Sequence, residues 1–136
     1  MMNISMLEHV NIRTTNMESL AVWYEQVLGL KRGCRPPFNA EGIWLYKNDW
    51  PMVHLLYIPE RHQSKDKTPA AEQRVEHFAF RAEGLESFLT VLKQHGVRFT
   101  TMRVPELRIL QVYITDPDGN RMHIDFVPDE ADKIFP

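Results

Sequence analysis

The sequence predicts an α+β fold built from two tandem βαβββ modules, with helices on one sheet face and the other face left for a cavity. Three observations lead there. Leu7-Glu8-His9-Val10-Asn11-Ile12-Arg13 returns in the second half as Val75-Glu76-His77-Phe78-Ala79-Phe80-Arg81. Val53-His54-Leu55-Leu56-Tyr57-Ile58-Pro59 returns, at almost the same offset, as Met122-His123-Ile124-Asp125-Phe126-Val127-Pro128. Two helical stripes end on glycines, Gly29 and Gly96, at matching places in the two halves. Internal self-similarity of this kind constrains fold and site together.

The elements follow in order. Residues 6–14 alternate with a period of two, so Val10 and Ile12 point one way and His9, Asn11 and Arg13 the other. Asn16 is a helix N-cap candidate, and Leu20, Trp23, Tyr24, Val27 and Leu28 form an apolar stripe behind it. Gly29 ends the helix at a position that needs positive φ. Residues 32–42, with Gly33, Pro36, Pro37 and Gly42, read as a loop or irregular hairpin. Strands are expected over 42–46 and 52–58, joined by a turn. The second half repeats the order: a strand over 75–82, a stripe of Leu85, Phe88, Leu89 and Leu92, then Gly96. An extended piece over 97–100 and a hairpin of 108–115 and 121–127 follow, turning through Asp116-Pro117-Asp118-Gly119-Asn120. Val10, Ile12, Phe78 and Phe80 are expected to meet the helices.

The 136 residues fit one domain, divided into a first module (6–59), a linker (60–73), a second module (74–128) and a polar tail (129–136). Apolar residues make up 43% of the chain and charged residues 25%, a balance ordinary for globular proteins. A net charge of -2 without Lys/Arg runs argues against a nucleic-acid partner. No secretory signal or membrane-length apolar stretch is visible, and Cys34 is the single cysteine. A cytoplasmic protein is the expectation.

Chemistry points to the histidines. His62 in the polar linker and His95 beside Gly96 read as solvated. His9, His54, His77 and His123 occupy matched places in the repeat. One strand histidine is more often a hydrogen-bonded structural residue than a ligand. Four in register with a duplication favour a metal site, since neutral imidazole binds zinc, iron, nickel and similar ions. Arg13 and Arg81 each stand four residues after the opening histidine, roughly 13 Å along the same face, and suit an anionic group. Asp125 lies about 6.7 Å beyond His123 on its face, where it can pair an arginine, act as a base or orient the imidazole. Gln111 and Tyr113, and Trp44 and Tyr46 in the first half, are candidate cavity walls. Glu8 and Glu76 precede the opening histidines and are expected to point away.

These motifs resemble the vicinal oxygen chelate superfamily, the glyoxalase I, bleomycin-resistance and extradiol dioxygenase group. The residues that carry the likeness are Leu7-Glu8-His9-Val10-Asn11-Ile12, Trp23-Tyr24 through Val27-Leu28-Gly29-Leu30, His77 in Glu76-His77-Phe78-Ala79-Phe80, and Asp116-Pro117-Asp118-Gly119-Asn120. The resemblance implies a curved, cavity-lining mixed sheet and a divalent ion (zinc, nickel, iron or manganese) held by the opening and closing strands of each module. Matched residue by residue, it implies His9, His54, His77 and His123 as the ligands, with His123 where a glutamate usually stands. It implies that Arg13 matches a position binding a carboxylate end of the thiol substrate in glyoxalase I proteins.

The first expectation is therefore a metal-dependent, glyoxalase-like lyase acting on a small substrate with vicinal oxygens. His123 would move the proton, since imidazole titrates near neutral pH. Arg13, Arg81, Asp125, Gln111 and Tyr113 would line the substrate. Two alternatives stay open: a metal-free, drug-sequestering binding protein, and an extradiol ring-cleaving dioxygenase. A homodimer is expected, as short two-module chains of this group usually complete their sites between chains.

Overall fold

The computed structural model describes residues 1–59 and 75–134. The chain divides into two units, Met1–Asp66 and Lys67–Pro136. The linker read over 60–73, with His62, lies outside the described residues.

In the first unit β1 (Val10–Thr14) leads into α1 (Met17–Leu28), then β2 (Lys31–Gly33), β3 (Gly42–Lys47) and β4 (Trp50–Tyr57). The sheet order is β1-β4-β3-β2. β1 runs parallel to β4, while β3 is antiparallel to both β4 and β2. Alternation in β1 is as the sequence reads: Ile12 and Thr14 are buried, Asn11 and Arg13 exposed. α1 buries Leu20, Ala21, Tyr24 and Val27. Asn16 caps this helix only through its backbone carbonyl, which accepts from Leu20 N at 2.9 Å. Gly29 takes the left-handed conformation at φ 67°, the geometry that makes glycine the favoured stop.

The second unit repeats this plan. β5 (Phe78–Arg81), α2 (Leu85–Gln94), β6 (Thr100–Val104), β7 (Ile109–Thr115) and β8 (Arg121–Phe126) form a sheet of order β5-β8-β7-β6. β5 is parallel to β8, and β7 antiparallel to β6 and β8. The β7–β8 turn is stapled by Asp116, whose Oδ1 accepts from the backbone N–H groups of Asp118 (3.0 Å) and Asn120 (2.9 Å).

Two differences from the sequence reading have clear causes. Residues 129–134, read as part of a polar tail, belong to a helix, α3 (Pro128–Ile134). Its proline start, acidic first turn and Lys133 in the last turn are favourable helix-end signals, but the helix is too short to show a period. Glu130 Oε1 accepts from Gly84 N (2.7 Å) and Leu85 N (3.3 Å), so α3 supplies the anionic cap of α2. The opening strands are also shorter than read, beginning at Val10 and Phe78 rather than at 6 and 75. Among the described residues no helix is long and apolar enough to cross a membrane.

Candidate functional site

Each unit brings its own opening and closing histidines together. The register explains why. In the first unit His54 of β4 pairs with Asn11 of β1 and Trp44 of β3. In the second, His123 of β8 pairs with Ala79 of β5 and Tyr113 of β7. His9 and His77 sit immediately before β1 and β5, within ring distance of these closing histidines.

In the first unit the rings stack. His9 and His54 have centroids 4.0 Å apart and planes within 12°. Trp44 covers the other face of His54 at 4.2 Å and 14°, and Phe38 lies 6.2 Å from Trp44. His54 Nε2–H donates to the Pro51 carbonyl at 2.9 Å, leaving Nδ1 as its free nitrogen. Burial, reinforced by the neighbouring His9, holds the His54 pKa below the ordinary imidazole range, so it is neutral at pH 7. An ion bound by imidazole lies in the ring plane, about 2.1 Å from nitrogen. Two nearly parallel planes at stacking distance share no such point, so His9 and His54 do not fit one ion together as stacked.

The second unit has a different constellation. The His77 and His123 rings are 5.0 Å apart and tilted by 45°, so they do not lie face to face as the first unit's pair does. His123 Nδ1–H donates to Asp125 Oδ1 at 2.5 Å. Tyr113 OH donates to Gln111 Oε1 at 2.6 Å, and Gln111 Nε2 stands 3.5 Å from His123 Nδ1. The shorter Asp125 contact fixes the Nδ1–H tautomer and leaves Nε2 free. His77 Nδ1 likewise meets the Glu76 carboxylate, whose other oxygen pairs with Arg121 at 2.7 Å. The hydrogen bond from His77 first, and the Arg121 charge after it, keep the Glu76 carboxyl below its usual range. A cleft of about 510 Å³ opens beside this group, with His77, Tyr113, Glu76 and Arg121 in its wall.

Glu8 and Glu76 correct the sequence reading. Strand alternation points both away from the histidines, yet His9 Nδ1 lies 3.2 Å from Glu8 Oε1 and Glu76 holds His77. Strict alternation fails there because these residues precede the strands, where the backbone need not be pleated. The Glu-His dipeptide repeated at both strand starts is the signal that marks them. Arg81 lies across the parallel pair from Asp125, and Arg13 across from Leu56. Both arginines are exposed, and neither has an ion pair among the described residues. Tyr46 serves the loop: its hydroxyl donates to the Cys34 carbonyl, and its ring lies where a Cβ on Gly33 would stand. His95 is exposed at the end of α2.

Among the described residues no three His, Cys, Asp or Glu side chains form a ready-made metal cluster. What the second unit does hold is two imidazoles with free Nε2 atoms, each backed at Nδ1 by a carboxylate. That donor chemistry fits a divalent ion, because carboxylates behind ligating histidines fix the tautomer and the ring orientation.

Comparison with known proteins agrees with this architecture. A glyoxylase/bleomycin resistance protein/dioxygenase domain from Frankia sp. EAN1pec superposes with TM-score 0.75 at 16% identity, covering 92% of this chain and 99% of that one. A lactoylglutathione lyase from Agrobacterium tumefaciens gives 0.62 at 18%, covering 91% and 95%. An antibiotic binding protein from Streptomyces sp. CB03234 gives 0.65 at 16%, covering 93% and 99%. At such identities the likeness shows the fold alone. No curated protein matches the chain. The family model for the Glyoxalase/Bleomycin resistance protein/Dioxygenase superfamily matches residues 6–124, and the chain belongs to that superfamily.

Proposed function

We propose that this chain is a metal-dependent, glyoxalase-like enzyme whose second unit carries the ion and the proton chemistry. The observation that carries this reading is the pair of Glu76–His77 and Asp125–His123 contacts. Both imidazoles are thereby oriented with Nε2 available, the arrangement that suits ligation. A divalent ion held by His77 and His123 would supply Lewis acidity to a small substrate with vicinal oxygens. Asp125 holds His123 in the Nδ1–H tautomer, which places the lone pair of the neutral ring on Nε2. That nitrogen either ligates or takes a substrate proton, one role at a time. Tyr113 and Gln111 lock each other and form a polar wall beside His123, and Arg81 extends the same face next to Asp125.

The test is elemental analysis of untagged protein, followed by a hemithioacetal isomerisation assay. Near-stoichiometric zinc, nickel, iron or manganese is expected in the native protein and is lost in His77→Ala and His123→Ala. Full metal content in both variants sinks the reading.

A second reading has its own support in the first unit. The column Phe38–Trp44–His54–His9 is a stacking surface, suited to a planar ligand in a metal-free binding protein. It predicts no gain of thermal stability on adding those metals and quenching of Trp44 fluorescence by a planar aromatic compound. The homodimer belongs to the same proposal and is checked by light scattering of the eluted protein.

A further inference from the structure

The arginines picked out by the repeat are Arg13 and Arg81, but the wall of the second unit's cleft contains two others. Arg98, between Gly96 and β6, lines it together with Arg121, His77, Glu76, Tyr113 and Thr100. Arg98 is exposed and has no ion pair among the described residues. Arg121 is already paired with Glu76, and Glu76 also holds His77. Among the described residues the one carboxylate of this wall, Glu76, is therefore occupied by two partners, while the guanidinium of Arg98 is not. The Thr100 hydroxyl adds a neutral donor, and its backbone pairs with Tyr113 across the β6–β7 ladder. At about 510 Å³ the cleft is within the size range of sites for small molecules.

We propose that Arg98, assisted by Arg121, is the specificity-determining anion site of this cleft, taking the carboxylate of a small substrate beside His77. Guanidinium groups bind carboxylates in a fork, and such charge-assisted bonds are stronger than neutral ones. The substrate class is narrowed to small anions carrying an oxygen function beside the carboxylate, because Arg98 and His77 line the same cleft. This rests on the metal-site reading for the His77 end, but the anion site itself stands on the cleft alone.

The experiment measures oxalate binding to nickel-loaded protein and inorganic phosphate binding to chelator-treated protein, by calorimetry at low ionic strength. Wild type is compared with Arg98→Ala, Arg98→Lys and Arg81→Ala, each first checked for an unchanged melting curve. Arg98→Ala is expected to weaken both anions roughly tenfold or more, with nickel content unchanged. Arg98→Lys should recover part of the loss, as a charge without the fork. Unaltered anion affinity in Arg98→Ala, or the whole loss appearing in Arg81→Ala instead, overturns the proposal. So does a wild type that binds neither anion. If the protein takes up no nickel yet phosphate binding still depends on Arg98, the metal reading falls and the anion site survives.

Discussion

His54 and His123 occupy the same place in duplicate sheets and are equally buried, each 7% exposed, yet their surroundings differ. Two neighbouring positions differ, one on the same strand and one on the strand beside it. Where the second unit has Asp125, next on the same strand face as its histidine, the first has Leu56. Where the second has Gln111, paired with Asp125, the first has Gly42, paired with Leu56. Without a carboxylate at that point, His54 turns Nε2–H to the Pro51 carbonyl and its ring is sandwiched by His9 and Trp44. With one, His123 is held in a polar network, its ring tilted against those of His77 and Tyr113. The repeat reproduces the backbone position of a histidine; its neighbours place it in an aromatic stack or in a polar network.

The contrast can be broken most sharply at the histidines themselves. His123→Ala is expected to abolish metal uptake, whereas His54→Ala should leave it nearly intact, both read by elemental analysis. Next in size is Asp125→Leu, which makes the second unit resemble the first and should lower metal affinity by about 10- to 100-fold. Competition with a chelator of known affinity measures it. Gly42→Ala probes the reverse side of the comparison. Its Cβ would stand 2.6 Å from the Leu55 carbonyl oxygen and 2.8 Å from Arg35 Nε, so the strand must shift. A loss of about 1–3 kcal/mol in urea unfolding is expected, the usual cost of overpacking. The smallest effect is a pH dependence. His54 binds its proton less tightly folded than unfolded, so the unfolded chain holds more protons as pH falls. Stability should therefore decline on acidification through the unfolded imidazole value of about 6.5 and level off below the folded one. His54→Phe should show a shallower slope across that window in denaturant titrations.

The repeat makes most of the fold legible. Alternation in β1, the apolar stripes of α1 and α2, and the Asp116–Asn120 turn each express a local rule, so each can be read locally. Gly29 and Gly96 are legible for the same reason, both having positive φ. The site is harder. Strand register follows from the repeat, so the pairing of opening and closing histidines within each unit is implicit. Ring orientation is legible only in part: Asp125, two residues from His123, is visible as its partner, but the stacking of His54 depends on Trp44 and His9, which lie on other segments of the chain. Glu8 and Glu76 are misplaced by a strict two-residue period because that period stops at the strand ends. α3 is hidden because its 7 residues hold less than two helical turns of pattern.

The cap that Glu130 places on α2 sets unequal limits for anyone wishing to graft or recombine the halves. A copy of the first unit loses no cap when cut after its sheet, because α1 has no side-chain cap at its N-terminus and its stop, Gly29, lies within the unit. A transplant of the second has to reach beyond β8 to include Glu130, far downstream of the Gly84 amide it satisfies. Chimeras cut at Phe126, where the repeat itself ends its strands, would carry every sheet residue and still leave a helix terminus bare.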